Sequence, residues 1–499
     1  MKRLYIFSLL LLDILSAFAQ QPAELQHIMS YMRNAMNFNK AIPQEKVYLH
    51  IDNTGYFMGE TIWFKAYVVR ADYNIPTNLS KVVYVELVNP TGDVVETRKL
   101  KVSNGCAYGN IKVDSIFGTG FYELRAYTRY MTNWGNGGIF SRVIPIFKKP
   151  QTEGDYSQMV MDDYSHKKRL PNLRDTSDDT SDADGRLRVR FYPEGGHLVE
   201  GVPCNVAFEV RDNNGELIDI QGTLSDGRTI ATTHLGKGEF TITPTASAAK
   251  LTMQWNDKTW HFTLPKAEQS GVTISYDAAK RSATIRSKGV AAAAYTLLCR
   301  GKLLRFERIK GNADISLKDA LTGVNELIVY DSEAQPLASR LFFADNHDYG
   351  KPLTVEMTSG GETVGKTTTL APYAPVQLSV SGVAPLNTVS IAVHDAQTDE
   401  PGYDNGNIMT DMLLSSELKG FIPYPAQYFP SADGAQDAAK VSQAMKNLDL
   451  LMKVQGWRRY KRAEQLRYEP EKGLTFEGTV YTVPAEANIL EYEDRKSVV

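Results

Sequence analysis

The sequence predicts a mainly β protein, built as a row of β-sandwiches with one helical segment near the C-terminus. Apolar and polar residues alternate over many short runs, and turns rich in Gly, Asn and Pro separate these runs, which is typical of half-buried strands. After Glu400 the pattern changes, because Leu and Met then recur at intervals of three and four. A chain of 499 residues is too long for one ordinary core, so we expect several domains.

The N-terminus has the pattern of a secretory signal peptide over residues 1–19. Lys2 and Arg3 precede an apolar run, and Ala17-Phe18-Ala19 supplies a small-x-small cleavage site. The run is about half of the ~20 apolar residues that a spanning helix needs. We therefore expect an exported chain without a transmembrane segment, located in the periplasm, at the outer membrane or at the cell surface. Residues 20–43 follow as a helical lead-in, since their Leu and Met residues share one face.

The first predicted β-domain spans 44–148 and opens with two strand-like runs between Glu45 and Val69. Residues 149–187 are polar and rich in Asp, which predicts a solvated acidic linker. Within the linker, Thr180 to Gly185 resembles the start of a calcium loop, but the loop begins with Thr and has Phe191 at its twelfth position. We expect no metal there.

Two domain starts resemble a known module. The first resemblance lies in Lys46-Val47-Tyr48-Leu49-His50, Gly59-Glu60-Thr61 and Phe64-Lys65-Ala66. The second opens the predicted β-domain 188–266 and lies in Pro193-Glu194-Gly195-Gly196, Val206-Ala207-Phe208 and Asp212 to Gly215. Both are similar to the start of a macroglobulin-type domain of the alpha-2-macroglobulin superfamily, which implies tandem sandwiches of fibronectin III- or immunoglobulin-like form.

The superfamily's internal thioester is not expected in this chain. That chemistry requires a Cys-Gly-Glu-Gln setting, and none of the three cysteines Cys106, Cys204 and Cys299 has it. Three widely spaced cysteines also do not form a disulfide framework, so we interpret them as buried side chains.

Four further units complete the predicted chain: a β-sandwich at 271–346, a short β-domain at 350–399, a helical segment at 405–466 and the start of an incomplete β-domain at 472–499.

In the helical segment, Leu413-Leu414, Leu448 to Met452 and Gln455 to Tyr460 resemble Bacteroidetes envelope proteins that join macroglobulin-like domains to a carboxypeptidase-regulatory-like domain and often a TonB-dependent receptor plug. The resemblance implies a protein partner in the cell envelope and a role accessory to outer-membrane transport. Only about twenty residues follow the strand-like run that ends at Val480, which indicates a short or truncated version of such a protein.

One motif could carry catalytic chemistry. Gly360 to Thr367 satisfies the P-loop pattern, and Asp395 could bind magnesium. A P-loop needs a helix that starts at Lys366, but three consecutive threonines followed by Pro372 and Pro375 disfavour one. We interpret the motif as a β-turn and keep a nucleotide-binding enzyme as an alternative.

No other pattern points to catalysis. The net charge of −3 gives no footprint for nucleic acid, the eight histidines lack zinc spacing, and no Gly-x-Ser-x-Gly elbow occurs. The sequence therefore predicts no catalytic, cofactor-binding or metal-binding residue, and a non-catalytic scaffold or binding protein. A further alternative is a protease inhibitor without a thioester, in which the acidic linker is a cleavable bait.

Overall fold

The computed structural model describes residues 29–30, 33–34, 41–152, 154–162, 187–213, 215–348, 353–365, 368–384, 387–398, 406–429, 438–456, 466–474, 477–482 and 493–498. The predicted signal peptide lies outside these residues, as do most of the helical lead-in and most of the acidic linker. The described chain confirms the predicted fold class: it is mainly β, with several small sheets and a helical segment toward the C-terminus.

Sandwich 1 follows from the alternation that begins at Glu45. Its strands are β1 (Glu45–Ile51), β2 (Tyr56–Phe57), β3 (Thr61–Arg70), β4 (Ile75–Pro76), β5 (Val82–Val88), β6 (Val94–Lys101), β7 (Cys106–Lys112), β8 (Gly120–Tyr127) and β9 (Phe140–Phe147). Strand β3 pairs with β1, β4 and β7 in one sheet, and the other sheet has the order β2-β9-β8-β5-β6. The inward side chains of both sheets, such as Phe64 and Leu124, form one core. Three 3₁₀ turns, Ser115–Phe117, Arg129–Trp134 and Asn136–Gly138, connect the later strands.

Sandwich 2 begins after the acidic linker. Its strands are β10 (Arg188–Pro193), β11 (Cys204–Arg211), β12 (Gln221–Leu224), β13 (Thr229–Ala231), β14 (Lys237–Ile242), β15 (Lys250–Trp255) and β16 (Lys258–Thr263). They form the sheets β10-β11-β14 and β13-β12-β15-β16. Phe208 lies at the centre of the core, fully buried and against Phe240.

Sandwich 3 repeats the two-layer arrangement. Its strands are β17 (Gly271–Asp277), β18 (Ser282–Lys288), β19 (Ala294–Cys299), β20 (Lys302–Arg308), β21 (Ala313–Ser316), β22 (Gly323–Tyr330) and β23 (Pro336–Ala344). The sheets are β17-β18-β21 and β20-β19-β22-β23. In β23, Phe342 enters the sandwich core while Leu341 and Phe343 point to the other side. The sheet that contains β23 is therefore apolar on both faces, which is typical of a sheet covered by helices.

The next unit is a three-stranded sheet of β24 (Thr354–Ser359), β25 (Glu362–Thr363) and β26 (Gln377–Ser381). Gly360 and Gly361 connect β24 and β25 with φ angles of 59° and 87°, which is the positive-φ pair of a type I′ hairpin turn. The sequence also predicts a strand from Thr388 to His394. The structure instead has an extended segment there that pairs with no strand of the described chain, and it ends at the 3₁₀ turn Ala396–Thr398.

The helical segment docks on the outer face of sandwich 3. It contains α1 (Ile408–Thr410), a π-helical turn (Asp411–Ser415), a 3₁₀ turn (Pro425–Tyr428) and α2 (Ala438–Val454). Leu414, Leu448 and Leu451 pack against Leu341 and Phe343. The predicted helical segment thus changes geometry after its first turn, because Ser416 N–H donates to Asp411 O (2.9 Å), an i→i+5 bond.

Two last strands, β27 (Glu477–Thr482) and β28 (Glu493–Val498), form an antiparallel pair. Within the described ranges, no helix has both the length and the apolar character to cross a membrane.

We expect Phe208→Ala to destabilise sandwich 2 by about 3–5 kcal/mol, because it removes a fully buried ring and leaves a cavity. Hydrogen exchange read by mass spectrometry should show faster exchange in β11 and β14 than in the wild-type chain. Ile116→Ala is the matched control, since its side chain is 83% exposed. Unchanged protection of β11 in the Phe208 variant would contradict the assigned core.

Candidate binding cleft and interdomain joint

The outward face of the β1-β3-β7 sheet carries two cross-strand rows of side chains. His50, Lys65 and Tyr108 lie directly opposite one another on the three strands. Trp63 and Asn110 form the next row, and Asp52 extends it, since Asp52 N–H donates to Trp63 O (3.0 Å). Because alternate residues of a strand face opposite sides, the apolar residues between them enter the core. The side chains of the two rows form a platform of aromatic, polar and charged groups on the outside of the sheet.

Lys65 is the centre of this platform and is only 5% exposed. Its ammonium lies 4.8 Å from the Tyr67 ring centroid and 5.4 Å from that of Tyr108, within cation–π range. The Nζ atom donates to Thr388 Oγ1 at 2.7 Å. Among the described residues no carboxylate forms an ion pair with Lys65, so its charge is held by a hydroxyl and two rings.

The extended segment at 387–392 forms one wall above the platform. Ser390 Oγ and His50 Nδ1 lie 2.5 Å apart. Burial lowers the pKa of His50, and the nearby Arg142 and Lys65 charges lower it further, so His50 is neutral at pH 7. Between the wall and the sheet lies a cleft of about 430 Å³, flanked by Trp63 and Tyr108, which are 56% and 64% exposed.

The contact between Ser390 and His50 is not arranged as a catalytic relay. A serine becomes a nucleophile when its histidine is oriented by a third group, as in the Ser-His-Asp triad. Asp52 is the nearby carboxylate, but its Oδ1 accepts from Tyr56 O–H (2.7 Å) and Trp63 N–H (2.9 Å). The arrangement is suited to binding, with donors, acceptors and ring faces fixed around a cleft.

A buried ion pair joins sandwich 1 to the helical segment. The Lys46 ammonium contacts the Glu417 carboxylate, and the side chains are 0% and 1% exposed. Lys46 Nζ also donates to Met412 O (3.0 Å), and Asn74 Nδ2 donates to the same carbonyl (3.3 Å). Because one-sided removal of a buried charge leaves its partner without compensation, this pair holds the two units in one arrangement.

A second charge network joins sandwich 2, sandwich 3 and α2. Arg340 of β23 is 3% exposed and donates to Glu194 Oε1 (2.8 Å) and Asp449 Oδ1 (2.7 Å). Lys453 then bridges Asp449 Oδ2 (2.9 Å) and Glu239 Oε2 (2.5 Å). Three units of the chain thus share one alternating row of charges, which we call the joint network.

Opposite charges set the protonation of the joint network. Burial opposes the charged form of Asp449, but Arg340 and Lys453 beside it hold the pKa of that carboxyl below its usual range. Burial likewise opposes the charged form of Lys453. The pKa of Lys453 is nevertheless raised, and the negative charge of Asp449 is the largest of the causes that raise it. Both groups are therefore charged at neutral pH.

The residues that the sequence singled out lie elsewhere. Gly360 and Gly361 form the hairpin turn, and Lys366 and Thr367 lie outside the described residues. Asp395 Oδ1 accepts from Gln397 N–H (2.9 Å) and so begins a 3₁₀ turn. No helix follows within 368–384 to give the phosphate site that a P-loop needs.

The three cysteines are unpaired thiols, and Cys204 and Cys299 are buried as predicted. The prediction is wrong for Cys106, which is only half-buried. Burial raises the pKa of both Cys204 and Cys299 to about 11. In the described ranges no group of three or more His, Cys, Asp or Glu side chains is placed to hold a metal ion.

Sequence reasoning missed the cleft and the joint network. Trp63, Lys65 and Tyr67 occupy alternate, outward-facing positions of β3. Two aromatic residues on either side of a lysine, on the polar face of a strand, are a sequence pattern that indicates an exposed aromatic surface. The hydrogen bond between Lys65 and Thr388 could not be predicted from the sequence, because the two residues are 323 positions apart.

The fold and the cleft define a tandem β-sandwich protein with a docked helical segment. No protein-family model and no curated protein matches the sequence. Among solved structures, Escherichia coli alpha-2-macroglobulin activated by porcine elastase is 14% identical with a TM-score of 0.20, and the match covers 63% of this chain and 32% of that one. The trypsin-activated form from Escherichia coli is 12% identical with a TM-score of 0.19, over 64% and 25% of the two chains.

A third similar structure is dimeric latent PorU from Porphyromonas gingivalis. It is 14% identical with a TM-score of 0.23, over 60% of this chain and 34% of that one. The chain therefore spans about a third or less of each of these proteins. TM-scores of this size do not define a shared overall arrangement.

We expect Arg340→Met to release α2 from sandwich 3, at a cost of about 3–5 kcal/mol, because Glu194 and Asp449 would lose their buried cation. Hydrogen exchange of residues 438–454 should rise strongly. The control is Lys280→Met, which breaks the solvent-exposed pair with Asp277 and should leave exchange unchanged. Equal exchange in both variants would show that the joint network does not hold the helix.

Proposed function

We propose that the chain is a non-catalytic, exported scaffold and binding protein of the bacterial cell envelope, built from macroglobulin-like domains and accessory to outer-membrane transport. In this role three sandwiches are held in a fixed arrangement and present the cleft on sandwich 1 to a ligand or protein partner. The observation that carries the proposal is the pair of buried ionic contacts at Lys46 and Arg340, which tie the helical segment to all three sandwiches.

Further contacts support a fixed arrangement. Arg142 Nη2 donates to Gly406 O (2.7 Å), and Arg300 Nε donates to Asp72 O (3.3 Å). Asn133 Nδ2 of sandwich 1 also donates to Tyr468 O (2.7 Å). Flexibly linked domains share few such contacts, so the chain is better suited to hold a shape than to bend.

The envelope location is supported by the sequence. Residues 1–19 have the pattern of a signal peptide, and the domain starts at Lys46 and Pro193 resemble macroglobulin-type modules. The accessory role in transport and the envelope protein partner are supported by the resemblance of the helical segment to multi-domain envelope proteins.

If the three sandwiches and the helical segment form one rigid array, cleavage of the polypeptide within the acidic linker should not separate the two fragments. We call these fragments the N-terminal and C-terminal halves. A protease recognition sequence placed within residues 163–186 allows the purified chain to be cleaved at one site. We expect the N-terminal and C-terminal halves to co-elute on size exclusion after cleavage, because the Lys46 pair and the contacts of Arg142 join them.

Glu417→Ala is the test variant for this experiment, since it leaves Lys46 buried without its carboxylate. We expect its halves to dissociate at lower urea concentration than those of the parent. Glu96→Ala removes a partly exposed pair with Arg98 and is the control. Separation of the parent halves in buffer alone would refute the fixed array.

Export is testable by fractionation of a Gram-negative host that expresses the full sequence. We expect the mature chain in the periplasmic or outer-membrane fraction, beginning near Gln20, and a variant with Leu9→Arg and Leu10→Arg to remain in the cytoplasm because the apolar run is broken. Equal fractionation of the two chains would refute the export proposal without bearing on the joint.

A further inference from the structure

We propose that the cleft on sandwich 1 binds an acidic saccharide, with a uronic-acid carboxylate on Lys65 and the sugar ring between Trp63 and Tyr108. The inference gives a ligand class to the binding role proposed above and rests on it.

The charge of Lys65 is the first argument. Lys65 is a buried residue, and a buried ammonium costs free energy unless an anion or several acceptors compensate it. In the described chain its hydrogen-bond acceptor is the neutral Thr388 hydroxyl. A carboxylate in that position would pair the ammonium with an opposite charge, which the hydroxyl does not supply. The cleft therefore favours a ligand with one negative charge near Thr388.

The exposed rings are the second argument. Trp63 and Tyr108 are large apolar side chains on the outside of a sheet, 56% and 64% exposed. Aromatic rings that line a cleft offer apolar faces, and the apolar C–H face of a pyranose is complementary to them. Asn110 and Asp52 lie in the row of Trp63 and supply an amide and a carboxylate for ligand hydroxyls. Rings with a polar rim are suited to a sugar rather than to an entirely apolar ligand.

An acidic peptide is the competing occupant, and the backbone of the sheet argues against it. Peptides that join a sheet gain affinity from main-chain hydrogen bonds at a free edge. The cleft instead lies on the face of β3, whose backbone is already paired with β1 on one side and β7 on the other. A ligand on this face of β3 gains no main-chain hydrogen bonds from the sheet and binds to it through side chains, as a saccharide does.

The size of the cleft fits a small ligand. Its volume of about 430 Å³ lies in the lower part of the roughly 300–1,000 Å³ range of ligand pockets. The wall formed by Val389 to Ala392 closes one side, so a long polymer would enter by its end or by a single residue.

The test is calorimetric titration of the full chain with digalacturonate, with the neutral disaccharide of galactose as the matched probe. We expect the acidic sugar to bind roughly tenfold or more tightly than the neutral one, because only the acidic sugar brings a negative charge to the Lys65 ammonium. The preference should shrink as salt is added.

Two variants with opposite expected effects separate binding from folding. Lys65→Met should abolish the preference for the acidic sugar, whereas Thr388→Val should strengthen binding severalfold, because it removes the hydroxyl that competes for the ammonium. Lys302→Met is the matched control: this lysine also lies over a ring, 4.7 Å from the Tyr73 centroid, but outside the cleft. It should leave the affinity unchanged.

Equal affinity for acidic and neutral sugars, or unchanged binding in Lys65→Met, would overturn the inference. So would binding of an acetylated aspartate peptide in place of digalacturonate, which would assign the cleft to another ligand class. If neither probe binds while the cleaved halves still co-elute, the ligand class is wrong and the rigid array stands. If the halves separate, the proposed scaffold itself fails.

Discussion

A charge that leaves water must be compensated, and the opposite charges that compensate Lys46 and Arg340 determine how the sandwiches are assembled. Lys46 and Glu417 are almost completely buried and lie 371 positions apart, so neither is compensated until sandwich 1 and the helical segment are together. Arg340 imposes the same requirement on sandwich 2, sandwich 3 and α2. Apolar packing stabilises each sandwich, whereas the ionic contacts specify the relative positions of the units, because a shifted arrangement would leave buried charges unpaired.

Local backbone geometry follows from these contacts. The π-helical turn ends at Ser415, two residues before Glu417, and such turns are frequent at functional sites. Gly195, next to Glu194, has a φ of 94°, and a Cβ atom there would lie 2.9 Å from Ile274 N. Only glycine allows sandwich 2 to approach sandwich 3 this closely. The Pro193-Glu194-Gly195-Gly196 motif, which resembles a domain start, is thus also the point where two sandwiches meet.

The sequence predicted the strands and helices whose formation depends on residues close together in the chain. The alternation that begins at Glu45 forms β1, and part of the predicted helical segment at 405–466 forms α2, because alternation and helical spacing are local properties. It did not predict that Lys46, in a strand pattern, would be fully buried, since its partner lies in a distant segment. The segment from Thr388 to His394 alternates like a strand, but Thr388 and Ser390 bond to side chains of sandwich 1 instead of entering a ladder. Long-range polar contacts, including those that frame the cleft, leave no periodic signal in the sequence.

The central claim is that Lys46 and Glu417 are energetically coupled across two units of the chain. A double-mutant cycle with Lys46→Met, Glu417→Leu and the combined variant measures that coupling as a difference in the free energy of unfolding. The account predicts that each single variant is strongly destabilised and that the double variant recovers part of the loss, with an interaction energy within about 0.5–3 kcal/mol. Single effects that add to within about 0.3–0.5 kcal/mol would contradict it, because independent residues behave in that way.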